Sequence, residues 1–293
     1  MIVIPHGAGL RVRAPAKINL FLEVLGRRPD GYHEVETLMV TVSLSDTLDF
    51  TPDPSGAIVL KCDDPSLPTD GRNLVVRAAE RLRAECGCEL GAAIDLHKEV
   101  PAQAGLGGGS SDAMATLTAL NQLWDLDLPS DRLDLLAGEL GSDVAFFAHG
   151  PAAVGRGRGE RMEAVPLGGT AHFVLMVPPH GMSTALVYQH VRPIDAPRSM
   201  GPAVDALKRG DFETLGRCLF NRLQAVAEGL EPALCQVRDA LADIGPAYLQ
   251  GHLMSGSGSA YFGLARDRDA AHTAARHLES LGLGLVRVVT CGP

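Results

Sequence analysis

A chain of 293 residues can bury a sizeable core, with room for one large or two moderate domains. Its make-up, 46% hydrophobic and 21% charged, is that of a globular protein. The formal net charge of −9 argues against nucleic acid as a partner while leaving room for a locally positive anion site. Cysteines at 62, 86, 88, 218, 235 and 291 include no Cys-x-x-Cys pair, and no His-Glu-x-x-His occurs. A structural metal is therefore not expected, and the thiols read as reduced. Met1–Leu10 lacks a basic region followed by a long apolar run, and Phe173–Val177 is too short to span a bilayer. The expectation is a cytoplasmic protein without a membrane partner.

Arg11–Leu25 alternates as a strand, with Ile18, Leu20, Leu22 and Val24 on one face and Lys17, Asn19, Phe21 and Glu23 on the other. The polar face is either solvent-exposed, the commoner case on alternation alone, or a cation and an amide aimed into a cleft. Arg28-Pro-Asp-Gly31 is a turn: Pro presets φ, Asp bonds locally and Gly supplies φ > 0. Tyr32 and His33 follow it, as packing residues or as a face for a ring-bearing ligand. Leu38–Phe50 and Ala57–Lys61 are further strands. Asp70-Gly-Arg-Asn73 precedes a helix carrying Leu74, Val75, Ala78, Ala79 and Leu82 on one face.

Ala92–Val100 alternates again and feeds Pro101-Ala-Gln-Ala-Gly105-Leu-Gly-Gly-Gly-Ser110-Ser-Asp112. Ala113, Leu117, Leu120 and Trp124 then fall at helical spacing, with Ser110 or Ser111 as the candidate N-cap and Asp112 in the first turn. A glycine loop opening a helix offers N–H donors and a positive dipole end, which suits phosphate; a plain connecting loop is the alternative. The loop is neither a Gly-x-x-x-x-Gly-Lys-Ser/Thr P-loop nor a Gly-x-Gly-x-x-Gly fingerprint, and His-Arg-Asp and Asp-Phe-Gly are absent. A helix over Asp131–Leu140 should end at Gly141 as a C′ residue. In Gly141-Ser-Asp-Val144, Ser142 or Asp143 either caps a short following segment or presents a carboxylate that accepts a substrate proton.

Gly150–Gly169 is expected to form a hairpin or junction, with a domain boundary near 165. Beyond it come a strand at His172–Val177, a helical segment near Ser183–His190, and helices over Asp211–Leu230 and Glu231–Ile244. Tyr248–Met254 is extended and runs into the small-residue loop Ser255-Gly-Ser-Gly-Ser259. A strand (Ser259–Ala265), a helix (Asp267–Leu281) and a last strand (Leu283–Thr290) complete the chain. Strands and helices mix without a regular βαβ repeat, so both halves read as α+β.

Three blocks in order, Ala14-Pro-Ala-Lys17-Ile-Asn19-Leu20, Gly105-Leu-Gly-Gly-Gly-Ser-Ser111 and Met254-Ser-Gly-Ser-Gly258, resemble the GHMP kinases. The group is named for galactose, homoserine, mevalonate and phosphomevalonate kinases. Lys17-Ile-Asn-Leu, Arg28-Pro-Asp-Gly-Tyr-His33 and Gly141-Ser-Asp-Val144 are similar to its branch that phosphorylates a cytidine-diphosphate methylerythritol. That branch acts on the 2-hydroxyl with ATP, in the non-mevalonate route to isoprenoids. The resemblance implies a two-domain α+β fold with a nucleotide cleft between its domains. Residues 1–164 would form an N-terminal mixed-sheet domain for ATP binding and catalysis. Residues 165–293 would form a C-terminal ferredoxin-like domain contributing to the substrate site.

Carried over residue by residue, the resemblance sets Lys17 opposite Asp143 across the transfer site. Asp143 would orient and deprotonate the acceptor hydroxyl; Lys17 would keep it ionised and neutralise phosphoryl charge. Pro101 and Gly105, Leu106, Gly107, Gly108, Gly109, Ser110 and Ser111 would wrap the ATP phosphates, with the Ser111 hydroxyl the candidate near Mg²⁺. Asn73 and Lys98 match positions that approach adenosine. Tyr32 and Tyr188 would sandwich the cytosine ring, His33 would read its edge and Asn19 would contact the sugar alcohol. Gln103 stands where some relatives have glycine. The closest rival is a homoserine- or mevalonate-type kinase, which has no use for a stacking pair at Tyr32-His33; a non-catalytic binder would be expected to have lost Lys17, Asp143 or the loop. A monomer or homodimer is expected.

Overall fold

The computed structural model describes residues 1–192 and 196–292. It divides into two compact units, neither a single stretch of chain. The first comprises Met1–Ala16, Leu44–Val100 and Gly107–Gly150; the second comprises Lys17–Ser43, Pro101–Leu106 and the chain from Pro151 onward. Two long strands, β2 (Gly9–Arg27) and β3 (His33–Asp53), contribute residues to each.

In the first unit β1 (Ile2–His6), a strand the sequence did not announce, pairs antiparallel with the start of β2. The second half of β3 pairs antiparallel with β5 (Gly91–His97), and β4 (Ile58–Cys62) runs parallel to β5, so the sheet is mixed. Helix α1 (Leu74–Cys86) starts at Asn73, whose side chain accepts from Val75 N, and buries Val75, Val76, Ala78, Ala79 and Leu82. Helix α2 (Gly108–Leu123) is buried over Ser111–Leu117, Ala119 and Leu120, and α3 (Ser130–Leu140) buries Leu133, Leu136 and Ala137.

Three details of capping differ from expectation. α2 is capped by Gly107 at φ 70°, with no side-chain bond, rather than by Ser110 or Ser111. The left-handed glycine turns the chain into the helix three residues earlier, and Ser111 N already donates to Gly107 O at 2.9 Å. Asp112 consequently lies past the first turn and is buried. Gly141 closes α3 in an extended conformation, φ 172°, not as a left-handed C′ glycine.

In the second unit the first half of β3 pairs with β6 (Ala152–Gly157), which forms the expected hairpin with β7 (Arg161–Ala164). A separate antiparallel sheet has the order β10 (Leu249–Met254), β11 (Tyr261–Ala265), β8 (Ala171–Val177), β12 (Leu285–Cys291). Against it pack α8 (Ala233–Ile244) and α9 (Arg268–Ser280), the latter capped by Asp267. α4 (Thr184–His190) follows β8. α5 (Gly201–Arg209) was not foreseen.

The single helix expected over Asp211–Leu230 is two, α6 (Phe212–Cys218) and α7 (Gln224–Leu230), separated by a two-residue strand β9 (Phe220–Asn221). The break has a tertiary cause: Phe220 and Asn221 pair in parallel with Phe21 and Leu22 of β2. α6 also presses so closely on β10 that a Cβ on Gly216 would fall 2.3 Å from Gln250 O. No helix among the described residues is long and apolar enough to cross a membrane.

Candidate active site

In the second unit the polar face of β2 is not solvent-exposed. Lys17, Asn19 and Glu23 are 3%, 2% and 0% exposed, so the reading that alternation alone favoured fails. Buried polar groups demand partners, and these have them. Lys17 Nζ donates to Asn19 Oδ1 at 2.6 Å, Asn19 Nδ2 to Thr37 Oγ1 at 2.8 Å, and Thr37 Oγ1 to Phe21 O at 2.8 Å. The chain of bonds fixes the lysine head within an apolar sheet. It also assigns the Asn19 amide orientation, with its oxygen toward the ammonium.

The leading half of the glycine loop lies in the same unit. Lys17 N donates to Leu106 O at 2.8 Å and Ala260 N to Ala104 O at 3.0 Å. Gly105, at φ 74°, meets the second small-residue loop so closely that a Cβ would fall 2.2 Å from Ser255 O. Gln103 itself takes φ 53°, a left-handed conformation that favours glycine. Pro101 and Ala102 line a cleft of about 570 Å³ with Val177–Pro179, Gly181, Gly282 and Gly284.

The Arg28–Gly31 turn is built as the sequence dictates. Gly31 has φ 88°, Asp30 Oδ1 accepts from Tyr32 N at 3.1 Å, and Arg28 pairs with Asp30 and Glu34. Tyr32 is exposed, with the Arg158 guanidinium 4.9 Å from its ring centroid. The His33 and Tyr188 rings come together, centroids 5.2 Å apart and tilted by 37°. Burial first, then the Arg27 charge, pulls the His33 pKa below the ordinary 6.5, so the ring stays neutral with one donor and one acceptor nitrogen.

In the first unit the trailing half of the loop becomes the start of α2. Gly108 has room only for hydrogen: a Cβ would stand 3.0 Å from Val100 Cγ1 and 3.2 Å from Lys98 Nζ. Lys98 is buried between two carboxylates, donating to Asp46 Oδ2 at 2.5 Å and Asp112 Oδ2 at 2.9 Å. Asp46 Oδ1 also accepts from Glu99 N and Val100 N, which ties the end of β5 to β3. Burial works against the Lys98 charge, but Asp112 and Asp46 outweigh it and its pKa is raised; burial pushes the Asp112 carboxyl up, to about 7. Ser111 Oγ and Asp112 Oδ1 are buried without a hydrogen-bond partner among the described residues. Asn73 spends its side chain on Val75 N and Pro68 O.

Asp143, half-buried, precedes a 3₁₀ turn, Ala145–Ala148, whose N-cap is Val144 with no side-chain bond. The sequence reading missed Asp46, Asp112 and Thr37 as parts of these networks. A carboxylate inside the β-branched run of β3 was a visible signal for Asp46; Asp112 was read only as a first-turn acid, and nothing local marked Thr37.

The fold has named counterparts. The chain matches the model for the GHMP kinase N-terminal domain over residues 73–151 and that for the GHMP kinase C-terminal domain over 203–282. It is 45% identical over 268 residues to a 4-diphosphocytidyl-2-C-methyl-D-erythritol kinase of Pelotomaculum thermopropionicum, covering 89% of this chain and 91% of the relative. To the Rhodococcus jostii protein of the same name it is 41% identical over 289 residues, covering 96% and 92%. A crystal structure of 4-(cytidine 5′-diphospho)-2C-methyl-D-erythritol kinase superposes with a TM-score of 0.81 at 39% identity, over 97% of this chain and 99% of that one. A homoserine kinase from Cytophaga hutchinsonii, at 21% identity and a TM-score of 0.75, shares the fold alone. With both family models matched in order and close relatives aligned along nearly their whole length, the chain belongs to the GHMP kinase family, on its 4-diphosphocytidyl-2-C-methyl-D-erythritol kinase branch.

Proposed function

We propose that the protein moves the γ-phosphoryl group of ATP onto the 2-hydroxyl of 4-(cytidine 5′-diphospho)-2-C-methyl-D-erythritol, as a cytoplasmic enzyme of the non-mevalonate isoprenoid route. The observation that carries a nucleotide-dependent reading is the start of α2, entered through a left-handed glycine and capped by no side chain. Its first amides and the dipole are thus left for an anion. The choice of acceptor follows the relatives' names and suits the neutral His33 ring held against Tyr188 behind the Pro-Asp-Gly turn.

In this reading Asp143 takes the proton of the 2-hydroxyl as its oxygen attacks the γ-phosphorus. The bond to the bridging oxygen breaks, and ADP leaves with that electron pair. Lys17, buried and directed by Asn19, offsets charge on the transferring group. Gly105–Ser111 carries the phosphates, Asn73 and Lys98 border the adenosine, and Asn19 meets the sugar alcohol. His33 reads the cytosine edge while Tyr32 and Tyr188 flank the ring. Magnesium bound with ATP would neutralise phosphate charge, and the buried Ser111 Oγ, which has no hydrogen-bond partner among the described residues, is a hard oxygen that suits such an ion. Lys98, committed to two carboxylates, acts here mainly by holding the loop.

The deciding assay couples ADP release to each of three acceptors: the cytidine-diphosphate sugar alcohol, homoserine and mevalonate. Turnover with the first alone is the expected result. Comparable turnover with either of the others would overturn the assignment.

A further inference from the structure

The small-residue turn Ser255–Gly258 touches both parts of the second unit's site. On one side Ser255 Oγ donates to Gly105 O at 3.0 Å. On the other it accepts from Asn19 N at 3.3 Å, and a Cβ on Gly256 would stand 3.3 Å from Asn19 Oδ1 and 3.4 Å from Lys17 Nζ. Of its own the turn has one backbone bond, Gly258 N to Ser255 O at 2.9 Å, with Ser255 N donating to Ala260 O at 2.9 Å at its base. Its residues are all serine or glycine, with Gly256 at φ 57° and Gly258 at φ 86°, and such backbone loses much entropy on being fixed.

What fixes it from behind is Asn221, 6% exposed. Its Nδ2 donates to Met254 O at 2.8 Å and Gly256 O at 2.7 Å, while its Oδ1 accepts from Leu223 N at 2.9 Å. The strand that carries Asn221 is itself pinned. Arg222 grips the fully buried Glu23 of β2 with two bonds, at 2.7 and 2.8 Å, and Phe220 and Asn221 pair with Phe21 and Leu22. The helical break that sequence periodicity did not foresee therefore places one amide behind one turn.

We propose that Asn221 is a positioning residue for phosphoryl transfer: its side-chain amide clamps the 254–258 turn against Gly105 and the Lys17–Asn19 pair. The inference rests on the role given to Lys17 above. Without the amide, two carbonyls lose their donors, the turn samples other conformations, and the wall that directs the ammonium recedes.

The test compares Asn221→Asp, which keeps the shape but removes both donors, with Asn221→Ser, which keeps one. Asp267→Ala serves as control; it removes the bond from Ala270 N that caps α9, elsewhere in the unit. The readouts are kcat, KM for each substrate and the melting midpoint. Asn221→Asp should lose on the order of tenfold or more in kcat, with KM for the cytidine substrate within about twofold of the parent. Asn221→Ser should fall between. The control should lower the midpoint alone. If Asn221→Asp does not fold, Asn221→Ser carries the comparison by itself. A kcat within about twofold of the parent for the folded Asn221 variants, or a change confined to KM, would overturn the proposal. Lys17→Met is assayed alongside. Turnover retained there would remove the role of Lys17 itself, whereas turnover lost there but kept in the Asn221 variants would remove only the clamp.

Discussion

Asp143→Asn keeps the outline of the side chain and removes its capacity to accept a proton. Folding of the variant is checked by its melting midpoint beside the parent's. Turnover should drop by on the order of 10²-fold or more while nucleotide still binds. Titration calorimetry with ADP beside a turnover assay checks this, and unaltered kcat would remove Asp143 from the chemistry. His33 sets a pH dependence of its own. Its folded pKa lies below 6.5 because burial, then Arg27, disfavours the charged ring. The neutral form persists at and above the ordinary value and is lost only as pH falls through the depressed one. KM for the cytidine substrate should therefore be flat above about pH 6.5 and rise on the acid side, and His33→Gln should flatten that limb. A limb centred above the ordinary value would contradict the assignment.

Among the elements, α9 shows how far local signals reach. The sequence expects a helix from Asp267 to Leu281, and the helix runs Arg268–Ser280 because Asp267 accepts from Ala270 N and Ala270, Ala271, Ala274, Ala275 and Leu278 share one buried face. Asp267→Ala should cost about 1 kcal/mol in chemical denaturation, with both KM values unchanged; a cost near zero would mean the cap is replaced by water. β9 shows the opposite. Periodicity across Leu215, Leu219, Leu223 and Val226 is helical, yet two residues of this run leave the helix to pair with β2. Tertiary pairing there outweighs a propensity difference of less than about 1 kcal/mol per residue. The start of α2 lies between these cases. The glycine loop is plain in sequence, but which residue would cap the helix was decided by Gly107 turning left-handed, a choice open to several glycines in the run.

For the molecule as a whole, the Glu23–Arg222 pair links strands that are 199 residues apart in sequence. Burial alone would raise the Glu23 pKa. The Arg222 guanidinium and the Arg198 and Val24 amides outweigh it and leave the carboxyl below its ordinary range. The stability it contributes is therefore present above about pH 4.5 and lost as pH falls through the lower folded value. Arg222→Met would strand a buried carboxylate and should destabilise the fold by about 3 kcal/mol at neutral pH, read by denaturant unfolding. At acid pH, where Glu23 is protonated, the deficit should shrink. A deficit independent of pH would show that packing, not charge, is what the arginine supplies.

By itself the sequence determined what nearest neighbours along the chain can dictate. The Pro-Asp-Gly turn before Tyr32, the caps at Asn73 and Asp267, the glycine loop entering a helix and the three family blocks are each written in a few consecutive residues. Only the tertiary structure decided that Lys17, Asn19 and Glu23 are buried, since alternation in a strand distinguishes two faces but not what covers each. It likewise decided that Lys98 lies between Asp46 and Asp112, and that Asn221 stands behind Gly256. Lys98 is 52 and 14 residues from its two partners and Asn221 is 35 from Gly256, so their encounter depends on strand pairing and packing, which no local pattern carries.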